Sequence, residues 1–207
     1  MKTTLCLLVG LALAAPAAAQ DEPLTIRAFV LGSVEQFAAV DSFDAVFGRT
    51  YEPFFGGGVQ ILEGDSFLEL TASRFKQTGQ RAFINAGQKF RLGIPLTATL
   101  TPLEATAGYR HRVSPKLLPY GSAGVGYYHY TEASDNDQPG EGVDTHHIGF
   151  IVNGGVEYRV HRWVGVAGDV QYTHVPGILG GSGTVSGQAN ENDLGGLAVR
   201  LKVIVGK

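Results

Sequence analysis

Regular alternation of apolar and polar residues constrains the fold of this chain more than any other feature of its sequence. In the segment HHIGFIVNGGVEYRV, five apolar residues share one parity, and they are Ile148, Phe150, Val152, Val156 and Tyr158. Glycine or polar residues occupy the other parity, and they are Gly149, Asn153, Gly155 and Glu157. A period of two is the period of a β-strand, so such a segment predicts a strand with a different environment on each face.

Strand-like segments of this kind recur along the whole chain. The candidates are 24–33, 54–62, 66–83, 88–110, 118–131, 145–160, 163–174 and 193–206. The third and fourth are longer than a strand that crosses a bilayer, which has about 9 to 11 residues. Their extra length predicts a hairpin that projects above the bilayer and closes near Asn85 and Gly87. The long connections are 34–53, 132–144 and 175–192, and they alternate with short turns. Short periplasmic turns with long extracellular loops are typical of outer-membrane barrels. The predicted fold class is therefore all-β, an eight-stranded antiparallel up-and-down transmembrane β-barrel.

The first residues have the features of a cleavable export signal. Lys2 provides the positive charge, residues 5–15 are apolar but too short for a membrane anchor, and Ala17 and Ala19 give a small-x-small cleavage site. We expect residues 1–20 to be a signal peptide and residues 21–207 to be the barrel domain. The only cysteine, Cys6, lies in the leader, so the mature chain offers no thiolate metal ligand.

Composition excludes several classes of function. Removing Lys2 from the 16 Lys and Arg residues leaves 15 against 19 Asp and Glu residues, a formal charge of −4, and the sequence shows no run of bases. Nucleic acid is therefore not an expected partner. A membrane-spanning helix needs an apolar run of about 18 residues, and the sequence contains no run of that length.

The polar parity indicates which face of the barrel is the interior. It carries equal numbers of bases and acids, namely Arg27, Glu69, Glu104, Arg110, Glu157, Asp169, Arg200 and Lys202. A charge-matched set favours a narrow interior, because an unpaired buried charge is very costly, whereas a water-facing exterior needs no matching. The alternative is a soluble lipocalin-like barrel with its apolar face inward. An eight-stranded barrel has room mainly for its own side chains, so a paired plug is favoured over an ion or solute path.

Several segments are similar to those of the small outer-membrane β-barrel superfamily, which includes the opacity, OmpA-type and OmpW-type proteins of Gram-negative bacteria. The similar segments are FFGGGVQIL, PLTATLTPLEATAGYR, LPYGSAGVGYYHY, NGGVEYRVHRWVGVAGDVQY and DLGGLAVRLKVIVGK. The resemblance covers nearly all of the mature chain. It implies the barrel fold and an outer-membrane location, and it implies little about activity.

Two candidate chemical sites involve histidines. His129, His146 and His174 share the outward parity near the predicted extracellular rim, where neutral imidazoles would bind a transition metal if they converged. The triplet from His129 to Thr131 resembles the His-x-Ser of outer-membrane lipid A deacylases. His129 would then activate the Thr131 hydroxyl, with Glu132 or Glu141 orienting the imidazole. The alternative interpretation of both sites is that these are ordinary side chains at the membrane interface, with no chemical role.

The first long loop is unusually apolar for a surface loop. Phe37, Phe43 and Phe47 lie in and around a short stretch that predicts one or two helical turns, capped by Asp41 and ended by Gly48. We expect these rings to cover the barrel mouth. A lid over a small apolar ligand site is the alternative, and it is what the OmpW-type resemblance implies.

Together these features predict a monomer without cofactor that contacts outer-membrane lipid and serves a structural or surface role without catalysis. Its surface partner is not identifiable from the sequence. Two alternatives stay open. One is porin-like or OmpW-like passage or binding of small apolar molecules, and the other is hydrolysis of outer-leaflet lipid.

Overall fold

A computed structural model describes residues 23–85, 87–134, 142–181 and 183–206. The predicted signal peptide, residues 1–20, lies outside these residues. Eight strands form a closed barrel in which each strand pairs with the next and the last pairs with the first. Their bounds are β1 Thr25–Phe37, β2 Tyr51–Glu63, β3 Ser66–Asn85, β4 Gln88–Arg110, β5 Leu117–Ala133, β6 Val143–His161, β7 Val164–His174 and β8 Gly196–Val205. Every pairing is antiparallel, so the predicted up-and-down fold is confirmed.

The connections have very different lengths at the two ends of the barrel. The short turns after β2, β4 and β6 lie at one end, here called the short-turn end, where β1 also begins and β8 also ends. The connections after β1, β5 and β7 and the tip of the β3–β4 hairpin lie at the other, the long-loop end.

The first strand runs further than its alternation predicts. The sequence places its end at Ser33, whereas β1 continues to Phe37. Its backbone remains paired on both sides there, because Gln36 lies opposite Tyr51 on β2 and Phe37 lies opposite Gly196 on β8. Hydrogen bonding to two neighbours therefore extends the strand past the point at which the apolar pattern fades.

The hairpin of β3 and β4 rises above the other strands. Pairing of β3 with β2 ends at Arg74, and pairing of β4 with β5 begins at Thr97, but β3 and β4 stay paired with each other up to their turn. The turn contains Gly87 at φ +77°, a backbone conformation that glycine adopts without strain. The projecting hairpin closed near Asn85 and Gly87 is confirmed.

The apolar parity faces outward. Ile148, Val152 and Leu201 are 68%, 57% and 59% exposed, whereas Glu157 and Arg200 are 3% and 4% exposed. A soluble barrel would have the reverse arrangement, because water would meet the apolar face. The outward apolar surface suits contact with lipid, and the polar parity fills the interior, here called the lumen.

Among the described residues, two short helices lie over the long-loop end: α1, Val40–Phe47, and α2, Val185–Ala189. The predicted end of α1 at Gly48 is confirmed, since Gly48 has φ 74° and donates to the carbonyl of Asp44. The prediction that Asp41 caps α1 is wrong. The helix starts one residue earlier, and the amides of Asp41 and Ser42 donate to the Glu191 carboxylate at 2.9 Å, so a side chain from a distant loop does the capping.

Within the described part of the chain, no helix combines the length and the apolar character needed to cross a membrane.

Candidate functional site

The lumen contains a continuous network of ion pairs near its middle. Arg200 on β8 donates from Nε to Asp169 on β7 and from Nη1 to the Gln171 side chain. Its Nη1 also lies 3.7 Å from Glu104 on β4. Adjacent strands place these groups together, because Asp169 lies directly opposite Arg200 in the ladder. Charged groups this deeply buried are stable only when such partners surround them.

Lys202 connects this group to the opposite wall of the barrel. Its Nζ lies 2.6 Å from Glu69 on β3 and 3.3 Å from Asp169. Glu69 also accepts from Gln60 at 2.6 Å, and Asp169 accepts from the Tyr120 hydroxyl at 2.6 Å. The contacts therefore cross the lumen from β3 to β7 and β8, which local pairing of neighbouring strands alone would not achieve.

A second ion pair lies towards the short-turn end. Arg27 on β1 donates from its two terminal nitrogens to the two carboxylate oxygens of Glu157 on β6, at 2.7 and 2.8 Å. Arg27 also donates to Gln60 at 2.8 Å, which joins this pair to Glu69 and the rest of the network. Arg159 lies 3.7 Å from Glu157. Two parallel bonds of this kind are among the stronger polar contacts in proteins.

The predicted lumen set is largely brought together. Seven of its members are buried and belong to the network, namely Arg27, Glu69, Glu104, Glu157, Asp169, Arg200 and Lys202. Arg110 stands apart. It is half-buried at the short-turn end, and it donates to the Gly64 carbonyl at 3.0 Å.

Other lumen residues that bear on the site were not predicted from the sequence. Glu35 and Glu52 point inward near the long-loop end because β1 and β2 extend beyond their predicted limits, so the parity rule would have found them in longer strands. Glu52 is fully buried and pairs with Arg49 at 2.8 Å. Tyr128 was not among the predicted lumen residues, but its hydroxyl donates to Glu104 at 2.8 Å.

Aromatic rings close the lumen at the long-loop end. We call Phe37, Phe43, Phe47, Phe54 and Phe75 the aromatic cap. Phe37 and Phe43 stack with centroids 3.9 Å apart, and Phe54 and Phe75 stack at 5.4 Å. The three predicted mouth residues, Phe37, Phe43 and Phe47, thus lie together, with Phe43 and Phe47 supplied by α1. Such contacts stabilise a lid beyond the area they bury.

Beside the aromatic cap lies a cavity of about 370 Å³. It is bounded by α1, the upper β3–β4 hairpin and the segment around α2. Its apolar lining includes Phe43, Phe47, Leu92, Leu96, Tyr130 and Leu179. Glu132 also lines it, and this carboxylate accepts from the Tyr130 hydroxyl at 2.5 Å. This volume and lining are within the range of small-molecule sites.

Within the lumen the spaces are far smaller. A cavity of about 20 Å³ adjoins Glu35, Glu104 and Arg200, and one of about 10 Å³ adjoins Arg27 and Glu157. Volumes of about 10–15 Å³ hold a single water molecule. The network and the aromatic cap therefore act as a plug in the described part of the barrel.

The three rim histidines do not converge. His129 and His146 are cross-strand neighbours, but His174 lies opposite Phe150, four residues further along β6. Each has its own contact: His129 with Asp144 at 2.8 Å, His174 with Asp193 at 2.6 Å, and His146 stacked on Tyr127. Among the described residues no cluster of three His, Cys, Asp or Glu side chains fits a metal ion. The metal hypothesis lacks the geometry it needs.

The predicted hydrolase residues are only partly assembled. The carboxylate at His129 is Asp144 rather than Glu132, which faces the interior and binds Tyr130. Glu141 lies outside the described residues. Thr131 is opposite Asp144 in the ladder, but within the described chain no hydrogen bond joins its hydroxyl to His129. A nucleophile normally contacts its base, and that contact is the missing part.

Comparisons with known proteins agree with this architecture. A family model described as outer membrane protein beta-barrel domain matches residues 4–199. Neisserial surface protein A is similar at 14% identity over 89% of this chain and 97% of that chain, with a TM-score of 0.53. Ail, the attachment invasion locus protein of Yersinia pestis, in complex with the heparin analogue sucrose octasulfate, is similar at 11% identity over 88% and 97%, with a TM-score of 0.50. At these identities the likeness concerns the fold alone. No curated protein matches the sequence significantly.

Proposed function

Since the chain belongs to the outer membrane protein beta-barrel domain family, we propose that it is a closed, monomeric barrel with a structural or surface role and no catalytic activity. Residues 1–20 serve as its export signal and are removed. The short-turn end faces the periplasm, and the long loops with the aromatic cap face the outside, as is usual for barrels of this kind.

The plugged lumen carries this proposal. A passive pore needs a continuous water-filled path, whereas Arg200 and Lys202 are tied across this lumen to acids on β3 and β7. Above them the rings of the aromatic cap cover the mouth. The filled lumen makes the barrel rigid. The irregular part of its surface is the long-loop end.

Conductance in planar bilayers tests the proposal. The wild-type barrel is expected to show no single-channel steps. A charge-neutral variant, Glu69→Ala with Lys202→Ala, removes two long lumen side chains that pair with each other, and it is expected to admit small ions. Heat-modifiable migration on gels verifies that both proteins are folded. Steady conductance by the wild-type protein would contradict a sealed barrel.

A second candidate function is binding of a small apolar molecule in the cavity beside the aromatic cap. The observation that favours it is the group of apolar side chains that lines a space of about 370 Å³, namely Phe43, Phe47, Leu96 and Leu179. Polar residues such as Arg81 and Glu132 share this lining. The filled lumen favours binding over passage. Equilibrium dialysis of naphthalene against protein-loaded and empty lipid nanodiscs would measure the excess bound by the protein. That excess should disappear in Leu179→Trp, which fills the cavity, and an equal excess in that variant would exclude this site.

A further inference from the structure

Five basic side chains gather on one side of the short-turn end. We call Arg110, Arg112, Lys116, Arg159 and Arg162 the basic rim. The sequence shows no run of bases because the rim is assembled from two separate parts of the chain, the end of β4 with its following turn and the end of β6 with its following turn. Pairing of β5 with β6 brings the two turns side by side, and the Arg159 amide donates to the Lys116 carbonyl at 2.8 Å.

The cations of the basic rim are poorly neutralised by the protein. Arg112, Lys116 and Arg162 are exposed, and in the described chain no ion pair involves them. Arg110 lies within electrostatic range of Arg27 and Arg159, which repel it, and of Glu157 and Asp65, which attract it.

Nitrogen atoms nearby also lack partners. Buried nitrogens without a hydrogen-bond partner in the described chain include Nε of Arg27 and both Nε and Nη1 of Arg110. The acids at this end are few within the described residues. Glu157 is already held by Arg27, while Glu63 and Asp65 lie at the turn between β2 and β3.

Two of the bases towards the long-loop end are neutralised by acids. Lys89 contacts Asp44 at 2.7 Å and Asp41 at 3.0 Å, and Arg49 pairs with Glu52 at 2.8 Å. These cations serve the internal structure of the loops. Within the basic rim, Arg159 lies 3.7 Å from Glu157 and Arg110 donates to the Gly64 carbonyl. The three exposed cations have no such contact with an acid in the described chain, which leaves them available to an external anion.

Exposed aromatic residues place the basic rim at the level of a membrane surface. Tyr109, Tyr158 and Trp163 point outward beside it and are 56%, 47% and 45% exposed. The Arg162 guanidinium lies 6.0 Å from the centroid of the Trp163 ring. Tyrosine and tryptophan concentrate where acyl chains meet headgroups. Arginine and lysine at this height meet the phosphodiester groups of phospholipids.

We propose that the basic rim binds the phosphate-bearing headgroups of anionic phospholipids in the periplasmic leaflet. The site is a two-turn surface of five cations flanked by an aromatic girdle, and its ligand class is an anionic phospholipid such as phosphatidylglycerol. The inference rests on the membrane placement proposed above. It adds a preferred lipid, which the family and the fold do not specify.

The fluorescence of Trp163 provides a local test, because it is the only tryptophan in the chain. The protein is reconstituted into phosphatidylcholine vesicles in which a fixed minor fraction is either brominated phosphatidylcholine or brominated phosphatidylglycerol. The ratio of quenching by the two lipids reports which headgroup is enriched beside Trp163. One engaged cation near a membrane surface corresponds to about fivefold in relative affinity, so a ratio of about five is expected for the wild type.

Matched variants assign the effect to the basic rim. Arg112→Gln with Lys116→Gln should lower the ratio towards one, and Arg162 is kept because it lies over the reporting ring. The control pair, Arg74→Gln with Lys76→Gln, removes the same charge from exposed positions on β3 and should retain the wild-type ratio. High salt should also reduce the wild-type ratio by screening.

Other outcomes would overturn the proposal in distinguishable ways. Equal quenching by both lipids in the wild type means no headgroup preference, and equal loss in both variant pairs means a general charge effect. No quenching by either lipid would remove the membrane placement itself. A ratio of one combined with rim-dependent binding of isolated peptidoglycan would assign the cations to the cell wall instead.

Discussion

The ion pair between Arg27 and Glu157 offers the most direct measure of what the lumen network contributes. Both side chains are 5% exposed, and two bonds of 2.7 and 2.8 Å join them. Removing one member of a buried pair leaves an uncompensated charge, which costs about 3–5 kcal/mol. Replacing both by apolar residues of similar size is far less costly, because no charge is left behind.

The surroundings make the two single substitutions unequal. In Arg27→Met, the Glu157 carboxylate keeps Arg159 at 3.7 Å, so the loss should be near the lower limit, about 3 kcal/mol. In Glu157→Met, Arg27 keeps only Gln60 and faces the repulsion of Arg110, so the loss should approach about 5 kcal/mol. The double variant should be more stable than either single variant. Its loss should therefore be below about 3 kcal/mol, which corresponds to a coupling energy above about 5 kcal/mol.

Urea unfolding in lipid vesicles, followed by Trp163 fluorescence and by far-ultraviolet circular dichroism, would measure these free energies. Lys89→Met is the control, because Lys89 belongs to an exposed pair with Asp44, and such pairs contribute about 0–1 kcal/mol. Single lumen variants that cost no more than the control would show that neither substitution leaves an uncompensated buried charge. A double variant that lost the sum of the two single losses would show that the two side chains do not stabilise each other.

Three further predictions concern the long-loop end. Phe43→Ala should destabilise the barrel by about 3–4 kcal/mol, since Phe43 is buried and stacks on Phe37, and hydrogen exchange of the α1 amides should rise with it. The hydrogen bond from Lys89 to Asp44 raises the pKa of Lys89 above its usual 10.5. Its stabilising contribution is therefore complete below pH 10.5 and is lost as the pH rises through the raised value, so α1 exchange should accelerate there in the wild type and not in Asp44→Asn. Finally, His129→Ala should leave lipid A unchanged by mass spectrometry compared with wild-type protein, and a wild-type-specific loss of an acyl chain would establish hydrolysis.

Strand alternation allowed most of the fold to be predicted. Parity assigns each residue to one face, and closure of the sheet turns those faces into a lumen and an outer surface. Arg200 and Lys202 were therefore recognisable as lumen residues from β8 alone. Parity says nothing about depth along the barrel axis, however, so it did not separate Arg110 at the short-turn end from Arg200 in the middle.

Other features depend on contacts between distant segments. The capping of α1 by Glu191 was missed because local sequence pointed to Asp41, which lies in the first turn of the helix and contacts Lys89 instead. The separation of His174 from His129 was also beyond the sequence, since it follows from the stagger between β6 and β7.

The sequence by itself determined the number of strands, the parity of each strand and the end of the barrel that carries the long loops. These are local properties, because a period of two and a turn signal act over a few residues. Only the tertiary structure decided which charges meet across the lumen, how the aromatic cap packs and that two basic turns form one rim. Those outcomes depend on the stagger of strands around a closed sheet, which is set by the sum of all eight pairings rather than by any one segment.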